Sequence, residues 1–444
     1  MLLTIEKLIY GGDGLSRLPA DARGRGKAVF VPFVLAEEKI DATLTEQKPG
    51  FARAKADSIV ESSPHRIQPA CPHFARCGGC HYQHASYEHQ LEIKKEILRE
   101  SLRRTAKVEL AFDIEVHPSP PWNYRNRSRL QVQVAPKFAA GYFKMASHEL
   151  LPVEDCPISS PLINRGIAAL WQSGRAGKVP AGVREVEFFA NADDTQLLLD
   201  VGCAREARRA AVRDWAEELR AAMREIVGVV AFREPNPGNR KAAPQEILVT
   251  VGDGYLTYKT QRAAYRVSAG SFFQTNRHLT DELVKIVTQG QRGELALDLY
   301  AGVGLFSTAL AGDFRHIVSV ESSQTSTDDL AYNRLSNGEA VQATTEQYLA
   351  RTENANRAGK VAVPIPDKPD LAVLDPPRSG LGEGVARSLA NLGAPRIVYV
   401  SCDPATLARD LVPLLAAGYR VEQVHLVDLF PQTYHLESVI DLSR

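Results

Sequence analysis

From residue 266 onward, strand-like and helix-like segments alternate, and no other feature of the chain constrains its fold as strongly. Helical patterns at 276–289, 304–312, 323–336, 383–391 and 404–416 separate the apolar runs "LALDLYA", "HIVSVE", "LAVLDPP" and "RIVYVSC". Parallel strands need a crossover connection, so this alternation predicts a doubly wound, mostly parallel sheet of Rossmann-like type. The closing runs "YRVEQVHLVD" and "LESVIDLS" have no helix between them and read as an antiparallel hairpin at the sheet edge. The polar stretch 351–370, with Pro364, Pro366 and Pro369, reads as a surface loop.

In an open α/β sheet, ligands bind beyond the carboxyl ends of the strands. The residues at those ends are therefore the candidate site. The first strand runs into a turn with Gly302 and Gly304, a G-x-G pattern without the third glycine of the dinucleotide fingerprint. Glu321 ends the next strand, at a distance suited to accepting hydrogen bonds from ribose hydroxyls. Asp375 is followed by two prolines that fix the exit path of its strand. Amino-group methyltransferases carry a related Asp-Pro-Pro-aromatic motif, but Arg378 stands where the aromatic would be, which weakens that chemistry. Cys402 ends the fourth strand, beside a helix starting near Pro404 whose N-terminus favours a thiolate. A thiol at that edge reads as a nucleophile rather than as packing.

A chain of 444 residues exceeds one core and predicts two or three domains. Residues 1–62 read as a small OB-type β-barrel, 63–262 as a central α+β domain, and 263–444 as the alternating unit. The amphipathic helix 86–104 is placed against the last of these, and one helix near 204–225 breaks the strands of the middle region. Lys plus Arg equals Asp plus Glu, 53 each, so net charge is silent about a nucleic-acid partner. The distribution is not: 116–148 lacks any acid yet holds Arg125, Arg127, Arg129, Lys137 and Lys144 among aromatics, a pattern suited to RNA. The three arginines alternate at period two and would share one strand face. No apolar run approaches membrane-spanning length, and Glu6, Lys7 and Asp13 interrupt any signal-like start. The expectation is a cytoplasmic monomer.

Among six cysteines, Cys71-x5-Cys77-x2-Cys80 with a distant Cys156 offers four thiolates. Without a secretory signal this reads as metal or redox chemistry, and the spacing leaves zinc and a [4Fe–4S] cluster both open. Cys203 reads as packing.

The motifs "VYVSCDPATLARD", "LDPPRSG", "DLYAGVGLFS" and "SFFQTN" resemble those of the RNA 5-methyluridine methyltransferases that use S-adenosylmethionine. "CPHFARCGGCHYQHASYEHQLEIKK" resembles the iron–sulfur motif of the ribosomal-RNA branch of that family, and residues 1–60 resemble its TRAM domain. The resemblance implies Cys402 as nucleophile, Glu437 as proton acceptor, Gln274, Tyr300, Glu321 and Asp375 as cofactor-binding residues, and Cys71, Cys77, Cys80 and Cys156 as ligands of a [4Fe–4S] cluster. It implies 23S rRNA as substrate, with transfer RNA as the alternative. Adenine-contacting residues would lie near 343–347, and Leu305 departs from a polar residue found in some relatives.

The chemistry explains the residue types. C5 of uracil is too weak a nucleophile to attack a methyl sulfonium, whereas a thiolate added to C6 makes C5 enolate-like. One cysteine and one carboxylate must therefore share a cleft. A radical methyltransferase is disfavoured because its cluster needs three cysteines at tight spacing and an open iron. A non-catalytic RNA-binding relic is disfavoured because Cys402, Asp375, Gln274 and Glu437 are all kept.

Overall fold

The computed structural model describes residues 1–19, 26–235, 246–334, 336–358 and 368–444, with backbone alone over 354–358. Among these residues the alternating region forms an eight-stranded sheet. Its order is Gly338–Gln342, Phe314–Glu321, Gly293–Leu299, Leu371–Leu374, Arg396–Ser401, Glu437–Ser443, Arg420–Val427 and Glu115–His117. The first five strands are parallel, and the order reverses between Gly293–Leu299 and Leu371–Leu374, which opens a crevice there. Their apolar runs face cores on both sides: Leu295, Leu297 and Leu299 on one, Ala296 on the other.

The closing strands form the antiparallel pair read in the sequence, but not at the edge of the sheet. Glu437–Ser443 inserts between Arg396–Ser401 and Arg420–Val427, antiparallel to both. Val439 and Ile440 are fully buried there, and a strand apolar on both faces belongs inside a sheet. The edge is taken by Glu115–His117, from the region read as central, which runs parallel to Arg420–Val427.

The helix at 87–101 belongs to the same body. Tyr87–Ser101 continues into a π-helical turn, Leu102–Ala106, and Leu98 and Leu102 share a core with Leu407 and Leu411. A fully buried Lys94–Asp428 ion pair at 2.5 Å ties this helix to the segment after Arg420–Val427. The stretch 351–370 is not one loop: helix Thr345–Ala358 covers its start, and 359–367 lie outside the described residues.

The middle region forms a seven-stranded sheet covered on one face by Arg209–Ala222 and by Pro161–Arg175. The latter is a helix the strand-dominated reading passed over, although Ser160 caps it through the Ile163 N–H and Pro161 occupies its first turn. At the N-terminus a six-stranded curled sheet wraps a small core of Leu3, Ile5, Val29, Val31, Ile40 and neighbours.

Candidate active site

The crevice at the strand reversal is a cleft of about 790 Å³. Gln274, Tyr300, Glu321, Asp375, Cys402 and Glu437 all line it. They come from six separate stretches of chain, and only the sheet topology brings them together.

The glycine turn sets one wall. Gly302 and Gly304 have φ of 54° and 92°, and a Cβ on Gly304 would stand 2.8 Å from Leu330 Cδ1. Tyr300 adopts φ 64° although it has a side chain, a strained conformation of the kind concentrated at functional sites. Its phenol, half-buried beside Thr345, is pushed up to about 12 by burial. The Gly302 N–H donates to Glu321 Oε2 at 3.0 Å and the Ser323 N–H to Oε1 at 2.6 Å, so the carboxylate is held with lone pairs to spare for a ligand. Ala343, Thr344, Thr345 and Glu346 line the same wall.

Titratable groups set the other end. Asp375 is pushed up to about 7 by burial and by Asp298, and accepts from Gln274 Nε2 at 3.3 Å. Glu437, 4% exposed, is held well above the usual carboxylate range by burial, then by Asp375, with the Arg378 guanidinium pulling the other way. Cys402 is pushed up to about 12 by burial, by Glu437 and by Asp375, again against Arg378.

That corrects the thiolate expectation. The helix after Cys402, Pro404–Ala416, gives its N-terminus to Asp403, whose Oδ1 accepts the Ala405 and Thr406 N–H groups at 3.0 and 2.9 Å. Burial and the two carboxyls thus favour the thiol of Cys402 in the ligand-free cleft, and the thiolate is favoured when the charges around it change.

Four contributors were given no role in the site by the sequence reading. Arg378 is a cation that acts on both Cys402 and Glu437, with Nη2 3.3 Å from the His435 ring, and its place directly after Asp-Pro-Pro was the available signal. The Tyr10 hydroxyl reaches over from the N-terminal curled sheet to donate to the Cys402 carbonyl at 3.2 Å, and nothing in the sequence marks that contact. Phe272, an exposed ring on the cleft wall, lies in the quoted "SFFQTN". Asp298 is buried under the glycine turn and accepts from the Ser307 N–H at 2.9 Å.

The basic stretch is not a free phosphate-tracking face. Arg127 lies over the Phe189 ring, 4.2 Å from its centroid, and donates to the Ser271 carbonyl at 2.7 Å. Arg129 pairs with Glu187 at 2.9 Å and Glu185 at 3.5 Å. The neighbouring strand, Val183–Ala190, supplies the acids missing from the local sequence. Arg125 is different: it lines the cleft, a groove beside it, and the cysteine cavity.

That cavity, of about 240 Å³, is ringed by Cys71, Cys77, Cys80 and Cys156. Burial raises the thiols of Cys71, Cys77 and Cys80, the last two to about 11 and about 12. Backbone N–H groups of His73 and Phe74 face the Cys71 sulfur, Gly79 faces that of Cys77, and the Gln83 side chain that of Cys80. Among the described residues, three candidate ligand atoms gather within 4.8 Å of one another only at Glu115, His117 and His425, so the four sulfurs surround a space rather than one point.

Residues 86–444 match the family model described as tRNA (uracil-5-)-methyltransferase. The chain is 32% identical to an uncharacterized RNA methyltransferase of Aquifex aeolicus, over 98% of this chain and 97% of that one. It is also 32% identical to the 23S rRNA (uracil(1939)-C(5))-methyltransferase RlmD of Pseudomonas fluorescens, over 98% and 92%. The crystal structure of Pyrococcus abyssi tRNA (uracil-54, C5)-methyltransferase with S-adenosyl-L-homocysteine has the same fold, with a TM-score of 0.74, 23% identity and full coverage of both chains. A multidomain α/β methyltransferase whose sheet edge gathers a thiol and buried carboxyls thus belongs, by sequence, to the tRNA (uracil-5-)-methyltransferase family, and is an RNA uracil-C5 methyltransferase.

Proposed function

We propose that this cleft methylates C5 of one uridine in 23S rRNA, with S-adenosylmethionine as donor, through a covalent bond between Cys402 and C6. The observation that carries the reading is the meeting of Cys402, Glu437, Arg378 and Asp375 at one end of the cleft, opposite the Gly302–Glu321 wall. The cleft fits the donor: Glu321 has free lone pairs for ribose hydroxyls, Tyr300 can lie against the adenosine, and Gln274 and Asp375 can meet the amino-acid end. When bound, the donor supplies an electrophilic methyl group and a positive charge. That charge favours ionised Asp375 and the Cys402 thiolate.

The Cys402 thiol gives up its proton to solvent and its sulfur adds to C6; the electron pair of the C5–C6 bond moves to C5, which takes the methyl as the donor's S–CH3 bond breaks and leaves its electron pair on the donor sulfur. Glu437, its carboxylate buried at the same end, then removes the C5 proton. The pair left behind re-forms the double bond and expels the sulfur. A carboxyl with raised proton affinity suits a base that must act near neutral pH.

The four cysteines fit a [4Fe–4S] cluster better than one ion, because the sulfurs ring a cavity and N–H donors face them. Its role is structural, joining the 71–80 loop to Cys156 beside Arg125. The N-terminal curled sheet serves as a TRAM-like, OB-type RNA-binding module, a role supported by the reach of Tyr10 to the cleft.

The relative acting on 23S rRNA favours that RNA over the transfer RNA of the family's description. Labelled S-adenosylmethionine incubated with 23S rRNA and transfer-RNA transcripts tests the assignment. Label at C5 of one 23S uridine is expected. Label in transfer RNA alone reassigns the substrate, and label in neither, with the protein folded, overturns the reading.

A further inference from the structure

We propose that Glu115, His117 and His425 form a site for a divalent transition-metal ion, zinc being the best match, that fastens the strand Glu115–His117 to the edge of the eight-stranded sheet. None of these residues lines the cleft or the cysteine cavity, so the site is separate from both.

The geometry is that of a ligand set. His117 Nε2 lies 3.1 Å from His425 Nδ1 and 3.7 Å from Glu115 Oε1, and His425 Nδ1 lies 3.4 Å from Glu115 Oε2. Ligand bonds of about 2.0–2.2 Å in a tetrahedron give edges of roughly 3.3–3.6 Å. Each carboxylate oxygen lies near such a distance from one imidazole nitrogen, and one ligand atom from each of the three residues lies within 4.8 Å of the others. Two imidazoles and one carboxylate are a donor set that suits zinc better than magnesium or calcium.

The surroundings fit as well. His117 Nδ1 faces a carboxylate oxygen of Glu282 at 3.3 Å, the carboxylate–histidine arrangement that orients a metal-binding ring. With the ring proton on Nδ1, Nε2 presents its lone pair to His425 and Glu115. A single proton among these nitrogens and oxygens joins only one pair, whereas a cation serves all three residues. Glu115 is exposed, so an ion can enter from solvent and keep water as a fourth ligand.

The site sits where a clamp has a purpose. Glu115–His117 is a three-residue edge strand that leads toward the segment carrying Arg125, and the register places Glu115 opposite His425.

The test counts bound zinc on the full chain, because the cysteines also bind metal. Protein dialysed against a mild chelator is titrated with zinc chloride and re-dialysed, and zinc per chain is measured by mass spectrometry. Wild type should hold about one ion more than Glu115→Gln or His425→Gln. Glu115→Gln alters an exposed side chain and should fold normally, as circular dichroism would verify. Glu282→Gln should keep the stoichiometry and weaken binding roughly 10–100-fold. Cobalt in place of zinc should give a nitrogen- and oxygen-ligated spectrum, lost in Glu115→Gln, beside any thiolate band. Zinc should raise the melting temperature of wild type more than that of Glu115→Gln. Equal zinc content in wild type and a folded Glu115→Gln, or cobalt bands from thiolates alone, would overturn the proposal.

Discussion

The cysteine cavity and the cleft both bury thiols and raise them to about 12, yet they present opposite chemistry. Around Cys71, Cys77 and Cys80 the groups acting on the thiols are chiefly other sulfurs and hydrogen-bond donors, with Asp155 and Arg125 adding smaller effects. Around Cys402 they are Glu437, Asp375 and Arg378. Thiols that face one another with donors behind them need a cation to ionise, which is the arrangement the proposed ligand set requires. A thiol among buried carboxyls and one arginine can exchange protons with its neighbours, and so forms an acid–base site. Burial alone does not separate the two regions; the company each thiol keeps does. Arg125 lines both cavities.

Substitutions at the two regions should fail differently. Cys402→Ala should cost the most, at least on the order of 10⁴-fold in methyl transfer, with iron content unchanged. If the four cysteines hold the proposed cluster, Cys156→Ser should do the reverse: wild type purified without oxygen should be brown and contain iron, the variant should have neither, and its melting temperature should fall, since metal binding energy is folding energy. Cys203→Ala, at a thiol outside the cavity, should keep its iron.

The charges around Cys402 can be read by alkylation followed by peptide mass spectrometry. Only the thiolate reacts, so in ligand-free protein the rate at Cys402 should climb with pH toward about 12. Arg378→Gln removes the cation that favours the thiolate and should move the profile to higher pH. Glu437→Gln removes a repelling charge and should move it lower. Coincident profiles would mean that these groups do not act on the thiol. The smallest effect is expected at Arg129→Ala. Its charge is already met by Glu185 and Glu187, so the salt slope of RNA binding should change by less than about one unit, the value for a full phosphate contact.

What the sequence made legible follows from how local each signal is. The strand-end residues Glu321, Asp375 and Cys402 were readable because a parallel sheet delivers every strand end to one edge, whatever the distant partners. The insertion of Glu437–Ser443 between two earlier strands was not, because strand order depends on which faces are covered by the whole chain. The same limit applies to Glu115–His117, too short to read as a strand until its partner is known. The run of arginines misled because the compensating acids lie some 55–60 residues away on the adjacent strand, joined only by pairing. The thiolate expectation failed first on burial and on Glu437 and Asp375, which only the fold brings beside Cys402, and Asp403 occupies the helix N-terminus that would have served it.

The most direct test of the two-group mechanism is Glu437→Gln with 23S rRNA and labelled S-adenosylmethionine. If Cys402 adds to C6 and Glu437 removes the C5 proton afterwards, this variant should still add and still transfer the methyl. Elimination should slow by about 10²–10⁴-fold. A denaturation-resistant protein–RNA band should accumulate, carry the methyl label, and vanish in the Cys402→Ala, Glu437→Gln double variant. Normal turnover by Glu437→Gln, or a band that forms without donor and without label, would contradict the account.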